Sequence, residues 1–145
     1  MKDYYKKFNI QKIKTKEGYM FPIYKNWETD LNESHQPKMV YVTTIEPFLE
    51  KDIILHEKRV SYITCIQGDV KLTMKVKDNI VDCSLYDKEN NCPNVVLIDK
   101  NIPIKLTNVG KENAIIVNCP SPSWHPDDED TIKFKTWEEY DKWVG

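Results

Sequence analysis

Glycine is scarce in this sequence, with four among 145 residues, and no glycine-rich loop is present that could cradle a phosphate group. Long apolar runs are missing as well, since none approaches the roughly twenty residues that a membrane-spanning helix needs. The first seven residues contain no apolar segment typical of a secretion signal. These absences predict a cytoplasmic protein with no membrane partner.

Neither sign of charge dominates the composition. Lysine and arginine together number 21 against 23 acidic residues, which leaves a net charge of −2. The lysines are interleaved with acids, as on a solvated surface, so nucleic acid is not expected as a partner. Arginine itself is nearly absent, because Arg59 is the only one in the chain.

The cysteines and histidines are too few and too scattered to predict a metal site. No two of the four cysteines have the short separation of a zinc knuckle, and no disulfide framework is expected without a secretion signal. His35, His56 and His125 lie in separate segments, so we expect neither a metal nor another cofactor. Cys65 and Cys119 lie in apolar runs and are interpreted as small buried residues, with a nucleophilic cysteine as the alternative.

Strand-like alternation is abundant. From residue 70 to residue 76, apolar residues alternate with lysine and threonine, which is typical of a strand with one packed and one solvated face. Gln67-Gly68-Asp69, just before it, is typical of a hairpin turn. Similar segments recur at residues 19–23, 39–45, 53–56, 61–66, 80–86, 95–98, 102–106 and 114–117. Roughly nine strands with short connections predict one all-β domain, a sandwich or a barrel.

One helix is predicted, near the end of the chain. Thr136 followed by Glu139 fits a capping box, and apolar or aromatic residues recur at helical spacing at positions 137, 140, 143 and 144. We interpret this stripe as a face that docks on the barrel, with a ligand platform as the alternative.

The order of several short segments resembles a known family. These segments are Met39-Val40-Tyr41-Val42-Thr43-Thr44, His56, Gln67-Gly68-Asp69-Val70-Lys71, Leu85-Tyr86-Asp87, Asn108-Val109-Gly110, Asn118-Cys119-Pro120 and His125-Pro126-Asp127-Asp128-Glu129. Over about residues 36 to 132 the chain is similar to the small RmlC-like cupins, namely the dTDP-4-dehydrorhamnose 3,5-epimerases and the dTDP-4-keto-6-deoxyglucose 3,4-ketoisomerases. The resemblance implies an all-β cupin jelly-roll barrel over residues 36–132. Residues 1–35 would form an N-terminal arm and strands, and residues 133–145 a C-terminal helix.

The resemblance also implies a reaction. Family members hold a nucleotide-linked sugar in the open end of the barrel, normally as homodimers, and abstract the acidic proton beside its C4 ketone. His56 matches a barrel histidine of the family, twelve residues before Gly68, and histidine can serve as such a base. We therefore predict an epimerase or ketoisomerase acting on a dTDP- or UDP-linked 4-keto-6-deoxy sugar. A satisfied core histidine is the alternative interpretation of His56.

Neighbouring polar residues complete the predicted site. Arg59 is a candidate for binding the diphosphate because its planar fork suits anions, and a surface ion pair with a nearby acid is the alternative. Strand alternation places Lys58 and Tyr62 on the face of His56. Lys58 is a candidate for stabilising an enolate. Tyr62 and Tyr41 are candidates for a proton donor or a sugar-stacking residue, with ordinary strand packing as the alternative.

Trp124 and His125 precede an acidic run in a proline-rich segment. They are candidates for stacking on the nucleotide base at the mouth of the barrel. A rigid strap followed by a solvated acidic run is the alternative.

Three positions differ from the pattern of the family. Ile54, Ile104 and Val117 stand where relatives often carry polar catalytic residues. This difference keeps two further hypotheses open. One is a catalytically inactive cupin that binds a sugar nucleotide or acts as a partner subunit, and the other is a cupin with unrelated small-molecule chemistry.

The N-terminal arm carries a large apolar load. Its large apolar and aromatic residues are Tyr4, Tyr5, Phe8, Tyr19, Phe21 and Trp27. Because exposed edges of a small barrel invite pairing, we predict a two-fold homodimer in which this arm contacts the partner.

Overall fold

The computed structural model of the chain describes residues 5–25, 36–121, 127 and 130–145. This part of the chain forms thirteen strands and one helix. In chain order they are β1 (Tyr5–Asn9), β2 (Ile13–Lys14), β3 (Tyr19–Met20), β4 (Tyr41–Ile45), β5 (Ile53–His56), β6 (Val60–Gln67), β7 (Val70–Val76), β8 (Asn79–Ser84), β9 (Tyr86–Asp87), β10 (Cys92–Ile98), β11 (Ile104–Asn108), β12 (Ala114–Ser121), β13 (Thr131–Phe134) and α1 (Trp137–Val144).

Two sheets form the body of the molecule. The first has the strand order β1-β10-β6-β12-β4, and the second has the order β13-β5-β11-β7-β8. Neighbouring strands pair antiparallel, and strands far apart in the chain meet, since β12 lies between β4 and β6. The prediction of an all-β fold is confirmed.

The core lies between the two sheets. Val70, Leu72 and Met74 on β7 are fully buried there, while Lys71 between them is exposed, as the alternation predicted. Ile63 on β6 packs into the same core from the opposite sheet. Burial of an apolar side chain of this size contributes about 1.5–3 kcal/mol to the free energy of unfolding.

Each sheet is also covered on its outer face. The N-terminal segment packs over the first sheet around Tyr62, through Phe8, Ile10, Ile23 and Tyr24. Helix α1 covers the second sheet, where Trp137 packs against Ile53 and Leu55. The prediction that the helix docks on the barrel is confirmed.

Helix α1 begins where the sequence predicted. The Thr136 hydroxyl accepts a hydrogen bond from the Glu139 N–H (3.1 Å), and the Glu139 carboxylate accepts one from the Lys135 N–H (2.7 Å). The first bond satisfies a backbone donor that the first turn of a helix leaves without an intrahelical partner, and the second ties the residue before the N-cap to the same turn. Among the residues that the structure describes, no helix is long and apolar enough to cross a membrane.

The turn at Gly68 connects the two sheets. Its φ of +95° favours glycine, and a Cβ at this position would lie 2.9 Å from Ala114 Cα. The turn lies where the sequence predicted it, but β6 and β7 do not form a hairpin. Strand β6 pairs with β10 and β12, while β7 pairs with β11 and β8. The chain therefore crosses from one sheet to the other at this glycine.

The sequence did not predict β13. This strand pairs with β5 over four residues, from Thr131 opposite His56 to Phe134 opposite Ile53. Strand pairing therefore continues beyond residue 132, into the C-terminal segment that was assigned to the helix.

Candidate functional site

A cavity of about 680 Å³ opens between β4, at the edge of the first sheet, and β13, at the edge of the second. Strand β5, next to β13, contributes to the same wall. The polar lining includes Tyr41, Lys51, His56, Arg59, Thr131 and Lys133. A concave site of this size with a few converging polar groups suits a small-molecule ligand.

Strand β5 directs His56 into this cavity. Ile53 and Leu55 pack outward against α1. Alternation therefore turns Ile54 and His56 to the opposite side, where both line the cavity. On β13, Thr131 pairs with His56, and its hydroxyl lies 3.3 Å from the imidazole Nδ1.

The environment of His56 favours the neutral imidazole. Burial, followed by the positive charge of Arg59, lowers the pKa of His56 to about 4. Asp130 acts in the opposite direction through its carboxylate charge and through its backbone carbonyl, which accepts a hydrogen bond from the imidazole. The ring is therefore neutral at pH 7, and one of its nitrogens has a lone pair that can accept a proton.

Arg59 reaches the same cavity because the chain bends between β5 and β6. The Asp130 carboxylate accepts hydrogen bonds from three successive backbone N–H groups: Glu57 (3.1 Å), Lys58 (2.9 Å) and Arg59 (2.9 Å). This bend interrupts the strand alternation and turns the Arg59 side chain inward, where the residue is only 5% exposed. A surface ion pair does not fit a side chain this buried.

Tyr41 on β4 lies against Arg59. Its phenol oxygen accepts a hydrogen bond from the Asn118 side-chain amide (2.9 Å) and another from the Arg59 guanidinium. Burial raises the pKa of Tyr41, and Arg59 partly offsets that rise. Because two donors occupy the phenol oxygen, its own hydrogen is left to donate to another acceptor.

Two lysines add positive charge to the lining. Lys51 donates a hydrogen bond to the Thr43 hydroxyl (2.5 Å). Burial, followed by the positive charge of Lys133, lowers the pKa of Lys51. Both ammonium groups stand in the cavity that contains the Arg59 guanidinium, so its electrostatic potential favours an anionic ligand.

Two acids, Glu50 and Asp52, also belong to the lining, and both are paired with lysines outside it. Glu50 forms an ion pair with Lys105 (2.8 Å), and Asp52 forms a longer one with Lys135 (3.5 Å). These ion pairs offset part of the negative charge that the two acids bring to the lining.

Solved structures of other proteins share this architecture. A dTDP-sugar isomerase from Desulfovibrio desulfuricans has a TM-score of 0.76 at 12% identity, over 90% of this chain and 83% of that one. A variant of the 3,4-ketoisomerase QdtA from Thermoanaerobacterium thermosaccharolyticum, in complex with TDP-4-keto-6-deoxyglucose, has a TM-score of 0.71 at 18% identity, over 94% and 90% of the two chains. The chain has the RmlC-like cupin fold. The dTDP-4-dehydrorhamnose 3,5-epimerase from Elizabethkingia anophelis also has a TM-score of 0.71, at 11% identity over 90% of this chain and 75% of that one. No family model and no curated protein matches the sequence.

Two of the predicted site residues of this cupin lie away from the cavity. Tyr62 packs on the outer face of the first sheet, with its ring centroid 5.7 Å from that of Phe8. The Lys58 side chain is exposed, while its backbone N–H binds Asp130. The prediction that both residues share the face of His56 is wrong, because the bend at residues 57–58 interrupts the alternation.

Trp124 and His125 lie outside the described residues. Their role in stacking on a nucleotide base stays a prediction. The Asp130 that ends the same acidic run lies within the described part and is not simply solvated, because its carboxylate binds the 57–59 bend.

The three apolar positions where relatives often carry polar residues have different surroundings in this cupin. Ile104 is buried in the core, and its register partner Ile54 lines the cavity. Val117 packs in the outer cluster around Tyr62, so a polar side chain there would face away from the cavity. The next residue, Asn118, bonds to Tyr41 instead. Of these three apolar residues, Ile54 is therefore the one that lines the cavity.

Sequence reasoning missed Asp130, Lys51 and the lining residues of β13. The pattern of residues 131–134, with Ile132 and Phe134 alternating with polar neighbours, could have indicated a strand with Thr131 and Lys133 on one face. Nothing in its local sequence distinguishes Lys51 from the other lysines of the chain.

Cys65 and Cys119 are buried, as predicted. Burial raises the pKa of both thiols, so both stay protonated and are poor nucleophiles. Within the described ranges, no cysteine belongs to the cavity lining, and no group of three His, Cys, Asp or Glu side chains is arranged to hold a metal ion.

Proposed function

We propose that this cupin is a sugar-nucleotide isomerase or epimerase that acts on a dTDP- or UDP-linked 4-keto-6-deoxy sugar. The observation that carries the proposal is a neutral imidazole, His56, in the same cavity as the buried guanidinium of Arg59. Proton abstraction beside a ketone needs an unprotonated base, and a cation suits the diphosphate of a nucleotide ligand. The structural neighbours named above are enzymes of this class, which supports the proposal at the level of the fold.

In the proposed reaction, His56 removes a proton from the carbon next to the C4 ketone. The electron pair of the broken C–H bond moves into the carbonyl group and forms an enolate. Tyr41, whose phenol hydrogen is left to donate, is the proposed proton donor to the enolate oxygen or to carbon. Return of a proton to the opposite face of the carbon gives an epimer. Proton transfer that moves the carbonyl to C3 gives the ketoisomer.

The cations of the cavity have a separate role in this proposal. Arg59 binds the diphosphate, and Lys51 and Lys133 add attraction for the same group. Arginine suits this task because its planar fork can form two parallel hydrogen bonds to phosphate oxygens.

The experiment is an isotope exchange in D₂O with a keto sugar nucleotide. Deuterium at C3 or C5 of the sugar supports the proposed enolisation, and its dependence on His56 identifies the base. Binding of the nucleotide sugar without deuterium incorporation would instead support a binding module.

One observation favours that second candidate function. Ile54 lines the cavity in the position two residues before His56, where relatives commonly carry a second histidine. An apolar neighbour removes one group that could relay a proton. A catalytically inactive cupin that binds a sugar nucleotide is therefore the alternative that the same exchange experiment tests.

A further inference from the structure

We propose that Asp130 is the positioning residue of this site: its carboxylate holds the bend at residues 57–59 that presents the Arg59 guanidinium to an anion in the cavity. The inference rests on the proposed function only for the identity of that anion. Asp130 is not part of the cavity lining itself, so it acts through Arg59 and not by contact with a ligand.

The geometry of the bend requires an acceptor of this kind. In a strand, successive N–H groups point to alternate sides, and each finds a carbonyl on a neighbouring strand. Here the N–H groups of Glu57, Lys58 and Arg59 converge on one side, in the manner of an anion-binding nest. One carboxylate has enough lone pairs to accept all three hydrogen bonds, and the distances are 2.9–3.1 Å.

The direction of the Arg59 side chain depends on this bend. If β5 continued as a regular strand through residue 59, alternation would place Arg59 on the face opposite to His56. With the bend in place, both residues line one cavity, and the guanidinium reaches the Tyr41 phenol. Asp130 is well placed to hold it, since β13 begins at the next residue with Thr131 paired to His56.

Two effects of Asp130 on an anionic ligand have opposite signs. Its negative charge lies near the cavity and repels an anion, so electrostatics alone predict tighter anion binding when the charge is removed. Loss of the bend predicts weaker binding, because the guanidinium is no longer held in the lining. The sign of the change therefore separates a positioning residue from a bystander.

The test is calorimetric titration of the protein with inorganic pyrophosphate. Asp130→Ala should weaken the affinity by about tenfold or more, the size expected for losing a charge-assisted contact. In an Arg59→Ala background, the same Asp130→Ala change should produce no further loss, because the group that it positions is already gone. Equal losses in both backgrounds, or tighter binding when Asp130→Ala is made in the protein that keeps Arg59, would overturn the proposal.

Asp52→Asn is the matched control. It removes one negative charge from the lining of the same cavity, where the carboxylate is paired with Lys135. Affinity for pyrophosphate should stay the same or increase in this variant. A loss equal to that of Asp130→Ala would show that any carboxylate near the cavity has this effect, which contradicts the proposal.

Amide hydrogen exchange gives a readout that needs no ligand. In Asp130→Ala, exchange at residues 57–59 should become fast while that of β7 stays slow, and unchanged protection at 57–59 would also contradict the proposal. If Asp130→Ala fails to fold, Asp130→Asn takes its place. This variant keeps one acceptor oxygen and should show an intermediate loss of affinity for pyrophosphate, again only when Arg59 is present.

Wild-type protein that does not bind pyrophosphate would overturn the positioning role. The isomerase activity is decided separately, by deuterium exchange.

Discussion

His56 and Arg59 line one cavity although their spacing of three residues would place them on opposite faces of a regular strand. The bend held by Asp130 brings them together. Burial lowers the pKa of His56, the Arg59 guanidinium lowers it further, and the same guanidinium donates a hydrogen bond to Tyr41. The proposed base and the proposed proton donor are thus both connected to one arginine, and the following predictions test each connection.

The stability of the protein should depend on pH through His56. Its pKa is lowered to about 4 in the folded protein from an ordinary value of 6.5. Between these pH values the unfolded chain binds a proton that the folded protein does not, so the free energy of unfolding should rise from pH 4 to pH 6.5 and stay constant above it. The full contribution is on the order of 3 kcal/mol. Urea unfolding of the wild type and of His56→Asn across this pH range isolates the contribution of His56. If the free energy of unfolding depends on pH in the same way for both proteins, the imidazole is not buried as described.

Arg59→Ala should weaken the affinity for TDP by roughly tenfold to a hundredfold, because it removes a charge-assisted contact to the diphosphate. Arg59→Lys should restore only part of the affinity, since an ammonium group cannot reproduce the planar fork. Isothermal titration calorimetry measures both. Lys58→Ala is the neighbouring control, because the Lys58 side chain is exposed and outside the cavity, and it should change the affinity less than twofold. Equal losses in Arg59→Ala and Lys58→Ala would contradict the assignment.

Tyr41→Phe should lower kcat by about a hundredfold or more, which is the usual range for loss of a general acid. Affinity for the nucleotide should change little, because the phenol hydrogen is assigned to the reaction and not to binding. The matched control is Tyr62→Phe, since Tyr62 packs on the outer face of the first sheet. Loss of activity in Tyr62→Phe with full activity in Tyr41→Phe would reverse the assignment of the acid.

The homodimer remains a prediction, and the fold locates a surface on which to test it. Strand β4 is an edge strand; its outward residue Val42 is 59% exposed, and Val40, just before the strand, is 64% exposed. An edge of this kind invites strand pairing. Light scattering should give twice the 17.2 kDa of one chain for the wild type, and Val42→Lys should shift the mass toward one chain. A wild-type mass of one chain at micromolar concentration would refute the dimer.

The sequence predicted two of the residues that line the cavity. His56 was a candidate because it matches a barrel histidine of the family that the sequence resembles, and Tyr41 because it lies in one of the strand-like segments of the same resemblance; both line one cavity. Tyr62 could not be placed correctly, because the bend at residues 57–58 resets the alternation before β6 begins. That bend is fixed by a carboxylate 71 residues away from Arg59, and no local pattern encodes such a contact.

The cationic lining was also beyond the reach of the sequence. Lys51 and Lys133 lie 82 positions apart and meet only because the segment before β5 and the strand β13 border the same opening. Among so many lysines, their positions become informative only after the strand order is known. The strand β13 itself is four residues long, and such short strands carry a weak periodic signal.

Deuterium incorporation tests the central claim most directly. The protein is incubated in D₂O with dTDP- or UDP-4-keto-6-deoxyglucose, and the recovered sugar is analysed by mass spectrometry and NMR. We expect deuterium at C3, C5 or both with the wild type. His56→Asn should abolish the exchange while keeping the fold and the nucleotide affinity, because asparagine is polar and of similar reach but is not a base at neutral pH. Tight nucleotide binding without any deuterium in the sugar, or undiminished exchange by His56→Asn, would contradict the account.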